Sequence, residues 1–221
     1  MKTVMIVGVI LLLAAALVVG GGAGEKQSGS PGDGPAPMEA PAYGEVAVLA
    51  GGCFWGVEAV FEALDGVEDV VSGYSGGEAG TARYYEVARG DTDHAESVRI
   101  VFDPEVISYE TLLEVFFTVA HDPTQLNFQG PDVGTQYRSA IFYADTNQKR
   151  AAEEYISKSD SAGTYTKPIV TELTPLEAFY AAEPDHQDFV RLNPDHPYVA
   201  YWDLPKLEKL EKEYPDLLEE G

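Results

Sequence analysis

The hydrophobic residues that follow residue 43 recur with two different periods, and the period changes at glycines. An apolar run over 45–50 predicts a strand, and a pair of glycines ends it. Apolar residues then recur at helical spacing over 57–64, and a single glycine ends this predicted helix. A second strand is predicted over 67–74, before a glycine-rich loop. This part of the chain therefore predicts a strand, a helix and a strand.

The same succession of periods returns after residue 95. Apolar side chains alternate with other residues over 96–102, which predicts a strand, and Ser108 is a good N-cap for the helix that follows. A loop over 121–135 precedes a predicted strand over 137–143. Three further elements are predicted: a helix that Thr146 caps and that ends near residue 157, a strand over 169–173, and a helix over 204–214.

The order of these elements predicts one α+β domain over 43–221. Strand–helix–strand followed by strand–helix–strand is typical of a ferredoxin-like two-layer sandwich, in which helices pack on a mixed β-sheet and long loops connect the elements. No heptad pattern of apolar residues is present, so we expect a monomer.

The first 42 residues differ from the rest of the chain. Residues 1–24 contain one lysine, an apolar run and then small residues, which predicts a signal peptide or a membrane anchor. Residues 25–42 are rich in Gly, Pro and Ser, which predicts a disordered linker. We therefore expect an exported protein, either secreted or tethered on the outer side of the cytoplasmic membrane.

The charge of the chain excludes some partners. Acidic residues outnumber basic ones 37 to 14, for a formal net charge of −23. Nucleic acids and anionic membrane faces select basic patches, so we expect no nucleic-acid partner. Adaptation to high salt is one explanation of this acidity, because salt screens the self-repulsion.

The chain has a single cysteine, Cys53. One cysteine excludes an intramolecular disulfide, a CxxC redox pair and a zinc site built from cysteines. The four histidines show no paired spacing of the HExxH kind, so we expect no metal. A lone thiol is either a buried structural residue or a reactive centre, and its surroundings decide between them.

Cys53 lies where the first predicted strand gives way to the first helix. A helix N-terminus favours an anion, and thiols in such places have pKa values lowered from about 8.5 to roughly 3.5–7.5. Glycines on both sides permit a tight turn and the close approach of a substrate. Phe54 and Trp55 place aromatic rings beside the sulfur, where they suit a small apolar group such as a methyl. The position favours a reactive thiol.

The run Gly-Gly-Cys-Phe-Trp-Gly over 51–56 resembles the signature of A-type peptide-methionine sulfoxide reductases. The resemblance extends from about Ala47 to Tyr198 through several separated motifs in the same order. These motifs are GYSGG over 73–77, YYEV over 84–87, HAESV over 94–98, HDPTQ over 121–125, GTQYRS over 134–139, FYAAE over 179–183 and HQ at 186–187.

The resemblance implies roles for individual residues. Cys53 takes the position of the nucleophile and Glu96 that of the catalytic acid, whereas for Glu96 alone a solvent-facing strand residue is the simpler reading. Tyr84 and Tyr137 match the two tyrosines that bind the sulfoxide oxygen, although Tyr85 is a possible register alternative and any tyrosine can be a packing residue. Three residues are expected to bind or orient the substrate: Phe54, Trp55 and Asp132, of which Asp132 can alternatively shape a turn.

The resemblance also implies a reaction. The S epimer of methionine sulfoxide, in proteins or free, is expected to lose its oxygen to the Cys53 thiolate, which leaves a sulfenic acid. Relatives often carry recycling cysteines, and this chain has none, so we expect an external reductant: a thioredoxin, a glutaredoxin or a small thiol. No metal or organic cofactor is expected. Two other hypotheses remain, a thiol peroxidase and a non-catalytic tethered binding protein.

Overall fold

A computed structural model describes residues 34–219 of the 221-residue chain. The predicted signal or anchor over 1–24, and the first half of the predicted linker, 25–33, lie outside the described residues. Between residues 34 and 219, no helix combines the length and the apolar character needed to span a bilayer. Export therefore stays a prediction.

The described residues form eight strands, six of them in one mixed sheet. Neighbouring strands of this sheet are antiparallel, except for the last two strands at one edge, which pair in parallel. The strands are β1 (Glu45–Gly51), β2 (Val67–Ser75), β3 (Ala95–Phe102), β4 (Phe128–Gln129), β5 (Asp132–Val133), β6 (Ser139–Tyr143), β7 (Glu172–Pro175) and β8 (Phe179–Ala181). Their order is β7-β6-β1-β3-β2-β8, and β4 and β5 form a separate hairpin.

Six α-helices accompany these strands: α1 (Phe54–Glu62), α2 (Tyr84–Val87), α3 (Tyr109–Val115), α4 (Thr146–Ala162), α5 (Phe189–Leu192) and α6 (Leu204–Glu213). Wider helical turns over 116–120 and 199–203 extend α3 and precede α6. The succession β1-α1-β2 and β3-α3-β6 puts four strands in the order β6-β1-β3-β2. This is the ferredoxin-like arrangement, so the predicted fold class is confirmed.

The alternation of side chains along the central strands separates two apolar layers. Ala47 and Leu49 of β1 face the helices and belong to the main core, whereas Val48 and Ala50 point to the opposite face of the sheet. Every residue of β3 is buried. Because a fully buried strand anchors whatever lies at its end, β3 can hold a polar side chain in a fixed place beside the helices.

Most of the predicted elements are present, with corrections at their ends. The fourth helix is capped by Asp145, not Thr146, because the Asp145 carboxylate accepts hydrogen bonds from the N–H groups of Asn147 and Gln148. That helix runs to residue 162, beyond the predicted end, and Gly163 ends it in the left-handed conformation, at φ 64°.

Two predicted strands begin later than the sequence pattern suggests. The one predicted over 137–143 begins at Ser139, because residues 135–137 form a helical turn. The one predicted over 169–173 lies at 172–175. Ser108 caps α3 as predicted, since its hydroxyl accepts the N–H of Thr111.

The end of the predicted linker contacts the domain. The N–H of Met38 donates to the carbonyl of Phe179 at 2.8 Å, and Arg99 donates to the carbonyl of Glu39 at 3.2 Å. Met38 and Glu39 lie within the segment 25–42 that the sequence predicts to be disordered, so at least these two residues are attached to the sheet.

Candidate active site

Cys53 occupies the N-cap position of α1, immediately after β1 ends. The turn between them depends on Gly52, whose φ of +95° is unfavourable for other residues. A Cβ on Gly52 would lie 2.6 Å from the Gln129 side chain, so the hairpin of β4 and β5 packs directly on this turn. The free thiol of Cys53 is partly buried at this point.

Glu96 lies under the first turn of α1. It shares a face of β3 with Val98 and Ile100 of the helix-side core, and only 2% of it is exposed. The backbone N–H of Phe54 donates to its Oε2 at 3.2 Å. A solvent-facing role for Glu96 is therefore wrong.

Burial is the main reason why the pKa of Glu96 is raised to about 8, and Asp132 adds to the effect. The hydrogen bond from Phe54 opposes this rise but is the smaller contribution. At neutral pH the carboxyl is mostly protonated, which makes it a proton donor.

Two tyrosines reach the same cavity from different elements. Tyr84 begins α2, and Tyr137 ends the turn before β6. Burial raises the pKa of both Tyr84 and Tyr137, so both hydroxyls stay protonated and can donate hydrogen bonds. Tyr85, the register alternative, is 84% exposed and is not among the residues that line the cavity.

Asp132 enters the site from β5. The Tyr198 hydroxyl donates a hydrogen bond to its Oδ2. Burial raises the pKa of Asp132, while Tyr198 and Lys206 act in the opposite direction. Asp132 therefore faces the cavity instead of only shaping a loop.

These side chains surround one cavity of about 250 Å³. All seven residues predicted from the sequence line it, together with two that were not predicted. The lining residues are Cys53, Phe54, Trp55, Tyr84, Glu96, Asp132, Tyr137, His196 and Tyr198. His196 and Tyr198 lie at the end of the segment that resembles the family, and that position was the one signal in the sequence that pointed to them.

Aromatic contacts hold the Trp55 ring in place. Trp55 stacks on Phe189 with 3.7 Å between ring centroids, and it meets the edge of Tyr198 at 5.8 Å. Its indole N–H donates to Nδ1 of His186 at 3.3 Å, and the His186 ring lies 4.3 Å from that of Tyr84. His186 thus supports the wall of the cavity from behind.

Glu183 fixes the position of Tyr84. Its carboxylate accepts the backbone N–H of Tyr84 at 2.9 Å and the hydroxyl of Tyr74 at 3.0 Å. The sequence places Glu183 in a motif of the resembling family, but nothing in the residue pattern alone indicates this bridging position.

The pKa of the Cys53 thiol is raised, so the low value that its position at a helix N-terminus favours is wrong. Burial raises the pKa of the Cys53 thiol well above its ordinary value, and the charges of Glu96 and Asp203 raise it further. The N–H of Trp55 and the ammonium of Lys206 lower the pKa of Cys53, but by less. The helix N-terminus does favour the thiolate, yet desolvation outweighs it here.

The described part of the chain contains no group of three or more His, Cys, Asp or Glu side chains arranged to hold a metal ion. The residues that line the cavity place a thiol beside a carboxylic acid and phenols.

Known proteins resemble this chain over nearly the whole domain. The family model described as peptide methionine sulfoxide reductase matches residues 45–217. The peptide methionine sulfoxide reductase MsrA 2 of Synechocystis sp. is 55% identical over 174 residues, covering 79% of this chain and 81% of that protein. MsrA 2 of Mesorhizobium japonicum is 53% identical over 176 residues, covering 80% of this chain and 90% of that protein.

A solved structure supports the same assignment. Mxr1 from Saccharomyces cerevisiae in its reduced form superimposes with a TM-score of 0.67 at 34% identity, covering 72% of this chain and 91% of that one. The chain belongs to the A-type peptide methionine sulfoxide reductase family and is an oxidoreductase that reduces methionine sulfoxide in the repair of oxidised proteins.

Proposed function

We propose that Cys53 removes the oxygen from the S epimer of methionine sulfoxide, protein-bound or free, and that Glu96 protonates this oxygen. The observation that carries the proposal is the hydrogen bond from Phe54 to Glu96, since it holds a buried acid beside the residue that follows the thiol. A nucleophile and a proton donor on one wall of a small cavity suit a reaction in which sulfur is attacked and its oxygen leaves.

The oxygen-transfer step is balanced within the site. The Cys53 sulfur attacks the sulfoxide sulfur and forms an S–S bond while the oxygen is protonated. The S–O and S–S bonds then break as the oxygen is transferred to the Cys53 sulfur, which leaves a sulfenic acid on Cys53 and releases methionine. Cys53 is oxidised by two electrons and the sulfoxide is reduced by two, to methionine. Glu96 gives its proton to the oxygen and regains one from the thiol, so the step consumes no proton overall.

Tyr84 and Tyr137 are proposed to bind the sulfoxide oxygen. Both residues line the cavity and their hydroxyls stay protonated, so they can donate to an oxygen on which negative charge develops. Phe54 and Trp55 are proposed to hold the methyl group. The stacking of Trp55 on Phe189 supports this role, because a ring packed against a second ring can define one side of a pocket for a small apolar group. Asp132, bound to Tyr198, is proposed to orient the substrate from the opposite wall.

Recycling is proposed to use an external thiol. Cys53 is the only cysteine of the chain, so the sulfenic acid has no internal partner. Two molecules of a small thiol, or the dithiol of a thioredoxin- or glutaredoxin-like protein, would return Cys53 to the thiol and release water and a disulfide. Comparing turnover with dithiothreitol, glutathione and a thioredoxin system distinguishes these reductants.

We also propose that residues 1–24 direct export, on the pattern of one lysine, an apolar run and small residues. Cell fractionation should place the full chain in the membrane or outside the cytosol, and a chain lacking residues 1–24 in the cytosol. Full-length protein found only in the cytosol would contradict this.

A single-turnover experiment tests the reaction. The reduced enzyme is mixed with an excess of sulfoxide and no reductant, and methionine is counted together with the sulfenic acid that dimedone traps at Cys53. One methionine per trapped cysteine is expected. Methionine without oxidation of Cys53 would overturn the proposal, and oxidation only with peroxide would favour a thiol peroxidase.

A further inference from the structure

A buried ion pair at the start of α6, between its N-cap residue Asp203 and Lys206, packs against the first turn of α1, which Cys53 precedes as N-cap residue. The Asp203 side chain is fully buried, and Lys206 Nζ lies 3.4 Å from its Oδ1. The Lys206 side chain is only 19% exposed. The second carboxylate oxygen, Oδ2, has no hydrogen-bond partner among the described residues. A buried carboxylate with one oxygen that accepts no hydrogen bond destabilises the fold. We therefore looked for a function of this ion pair.

Gly56 provides the space for this pair. A Cβ on Gly56 would lie 2.1 Å from Oδ1 of Asp203 and 2.8 Å from Nζ of Lys206. Gly56 is three residues after Cys53, so the two lie on the same side of the helix. In many helices a side chain at this position reaches back to the N-cap residue. Here the Asp203 carboxylate and the Lys206 ammonium occupy the space that such a side chain would take, three residues along the helix from the N-cap residue, Cys53.

We propose that this ion pair controls the ionisation of the nucleophile: Lys206 stabilises the Cys53 thiolate, and Asp203 positions the ammonium and offsets its charge. Lys206 and Asp203 are positioning residues, because they act through Cys53 and line no part of the substrate cavity. The inference rests on the proposed role of Cys53 as the nucleophile, but its test does not require turnover.

Most of the charged groups around Cys53 are acidic and disfavour its thiolate, so a nearby cation matters for the ionisation of the thiol. Carboxyls approach from three elements, and phenols and an imidazole complete the surroundings. These groups are Glu96, Asp132, Asp203, Tyr84, Tyr137, Tyr198 and His196. Burial and carboxylates raise the pKa of Cys53, and Lys206 is the charged side chain that lowers it.

Asp203 is subject to the same surroundings. Burial and Asp132 raise the pKa of its carboxyl, while Lys206 and His196 lower it. The carboxylate form of Asp203 opposes the Cys53 thiolate, whereas Lys206 favours it. Removing the charge of Lys206 should therefore raise the pKa of the Cys53 thiol, and removing the charge of Asp203 should lower it.

The experiment follows the rate of Cys53 alkylation by iodoacetamide against pH, in the full-length chain, by mass spectrometry. In Lys206→Met the midpoint should rise by about one pH unit or more, and in Asp203→Asn it should fall. The double variant should return close to the wild-type midpoint. Lys209→Met is the matched control, since Lys209 lies on the same helix, is 44% exposed and contacts Glu213. Its midpoint should not move.

Opposite shifts are the result that a merely structural role would not produce. If both substitutions shift the midpoint in the same direction, or Lys206→Met behaves like Lys209→Met, the inference is overturned. Turnover measured at pH 7 gives a second readout: for a neutral sulfoxide, kcat should fall about tenfold in Lys206→Met with little change in KM. Shifted alkylation in a chain that reduces no sulfoxide would refute the proposed function and leave the control of Cys53 standing.

Discussion

The backbone N–H of Phe54 donates to Oε2 of Glu96 at 3.2 Å, although 42 positions separate them in the chain. This one hydrogen bond joins the first turn of α1 to the fully buried strand β3. It places an acid whose pKa is raised to about 8 beside the residue that follows the only thiol. The positions of the proton donor and the nucleophile are therefore set by the start of a helix and by a strand that is buried along its whole length.

Replacement of Glu96 by glutamine tests the acid. Glutamine keeps an oxygen that accepts the N–H of Phe54 but cannot donate a carboxyl proton. We expect kcat to fall by about 10²–10⁴-fold, the usual contribution of general acid catalysis, with a small change in KM. Steady-state kinetics measure this, and Glu154→Gln on the exposed face of α4 is the control. An unchanged kcat in Glu96→Gln would show that the proton comes from elsewhere.

The raised pKa of Glu96 also predicts a pH dependence of activity. The donating form is present below about pH 8 and is lost as the pH rises through that value. Because the Cys53 thiolate increases with pH while the donating form of Glu96 is lost, the rise of activity with pH should level off near pH 8 in the wild-type enzyme. In Glu96→Gln the residual activity should keep rising through this pH, which a pH–rate profile of both proteins measures. The same profile in both proteins would contradict the assignment.

The free energy of unfolding should also depend on pH because the pKa of Glu96 is raised in the folded protein. The folded-state pKa of Glu96 lies above the unfolded value of about 4.3, so its stabilising contribution is complete at low pH and is lost as the pH rises through about 8. Relative to Glu96→Gln, the wild-type Tm should fall between about pH 4.5 and pH 8. Thermal unfolding of both proteins at several pH values measures the difference, and parallel curves would refute a buried protonated Glu96.

The roles of Tyr84 and Tyr137 in binding the sulfoxide oxygen can be tested with the exposed Tyr85 as a control. Tyr84→Phe and Tyr137→Phe each remove one hydroxyl that faces the cavity, and we expect kcat/KM to fall about tenfold for each, the typical value of one hydrogen bond. Tyr85→Phe removes an exposed hydroxyl and should have no effect. Equal effects of Tyr84→Phe and Tyr85→Phe would argue against oxygen binding by Tyr84.

The turn before Cys53 predicts a stability effect. Gly52 has a φ of +95°, and a Cβ there would lie 2.6 Å from Gln129. Gly52→Ala should destabilise the domain by more than about 1 kcal/mol and lower activity, because Cys53 would shift with the turn. Gly80→Ala, where nothing lies within 4 Å of the added Cβ, is the control. Chemical denaturation measures both, and equal stabilities would contradict the packing of the hairpin on this turn.

Residue patterns predicted the elements that bury a regular apolar face. The strand over 45–50 and the helix that follows were predicted because strand alternation and helical spacing both point into the main core. The strand β8 was not predicted, since three residues at the sheet edge show too little alternation. The hairpin of β4 and β5, with two residues in each strand, left no pattern at all.

The resemblance to the family predicted which residues form the site. It did not predict the pKa values of those residues. All seven predicted residues line one cavity, yet the raised pKa of the Cys53 thiol depends on burial that only the folded chain defines. Asp203 illustrates the reason. In the sequence it is one of 37 acidic residues, and only the packing of α6 on Gly56 distinguishes it.

The most direct test measures methionine formed from the separated S and R epimers of methionine sulfoxide, with dithiothreitol, by the full-length chain and its Cys53→Ser variant. We expect turnover of the S epimer alone by the wild-type protein and none by the variant, with both proteins equally folded by circular dichroism. Turnover of neither epimer by the folded wild-type protein, or undiminished turnover by Cys53→Ser, would contradict this expectation.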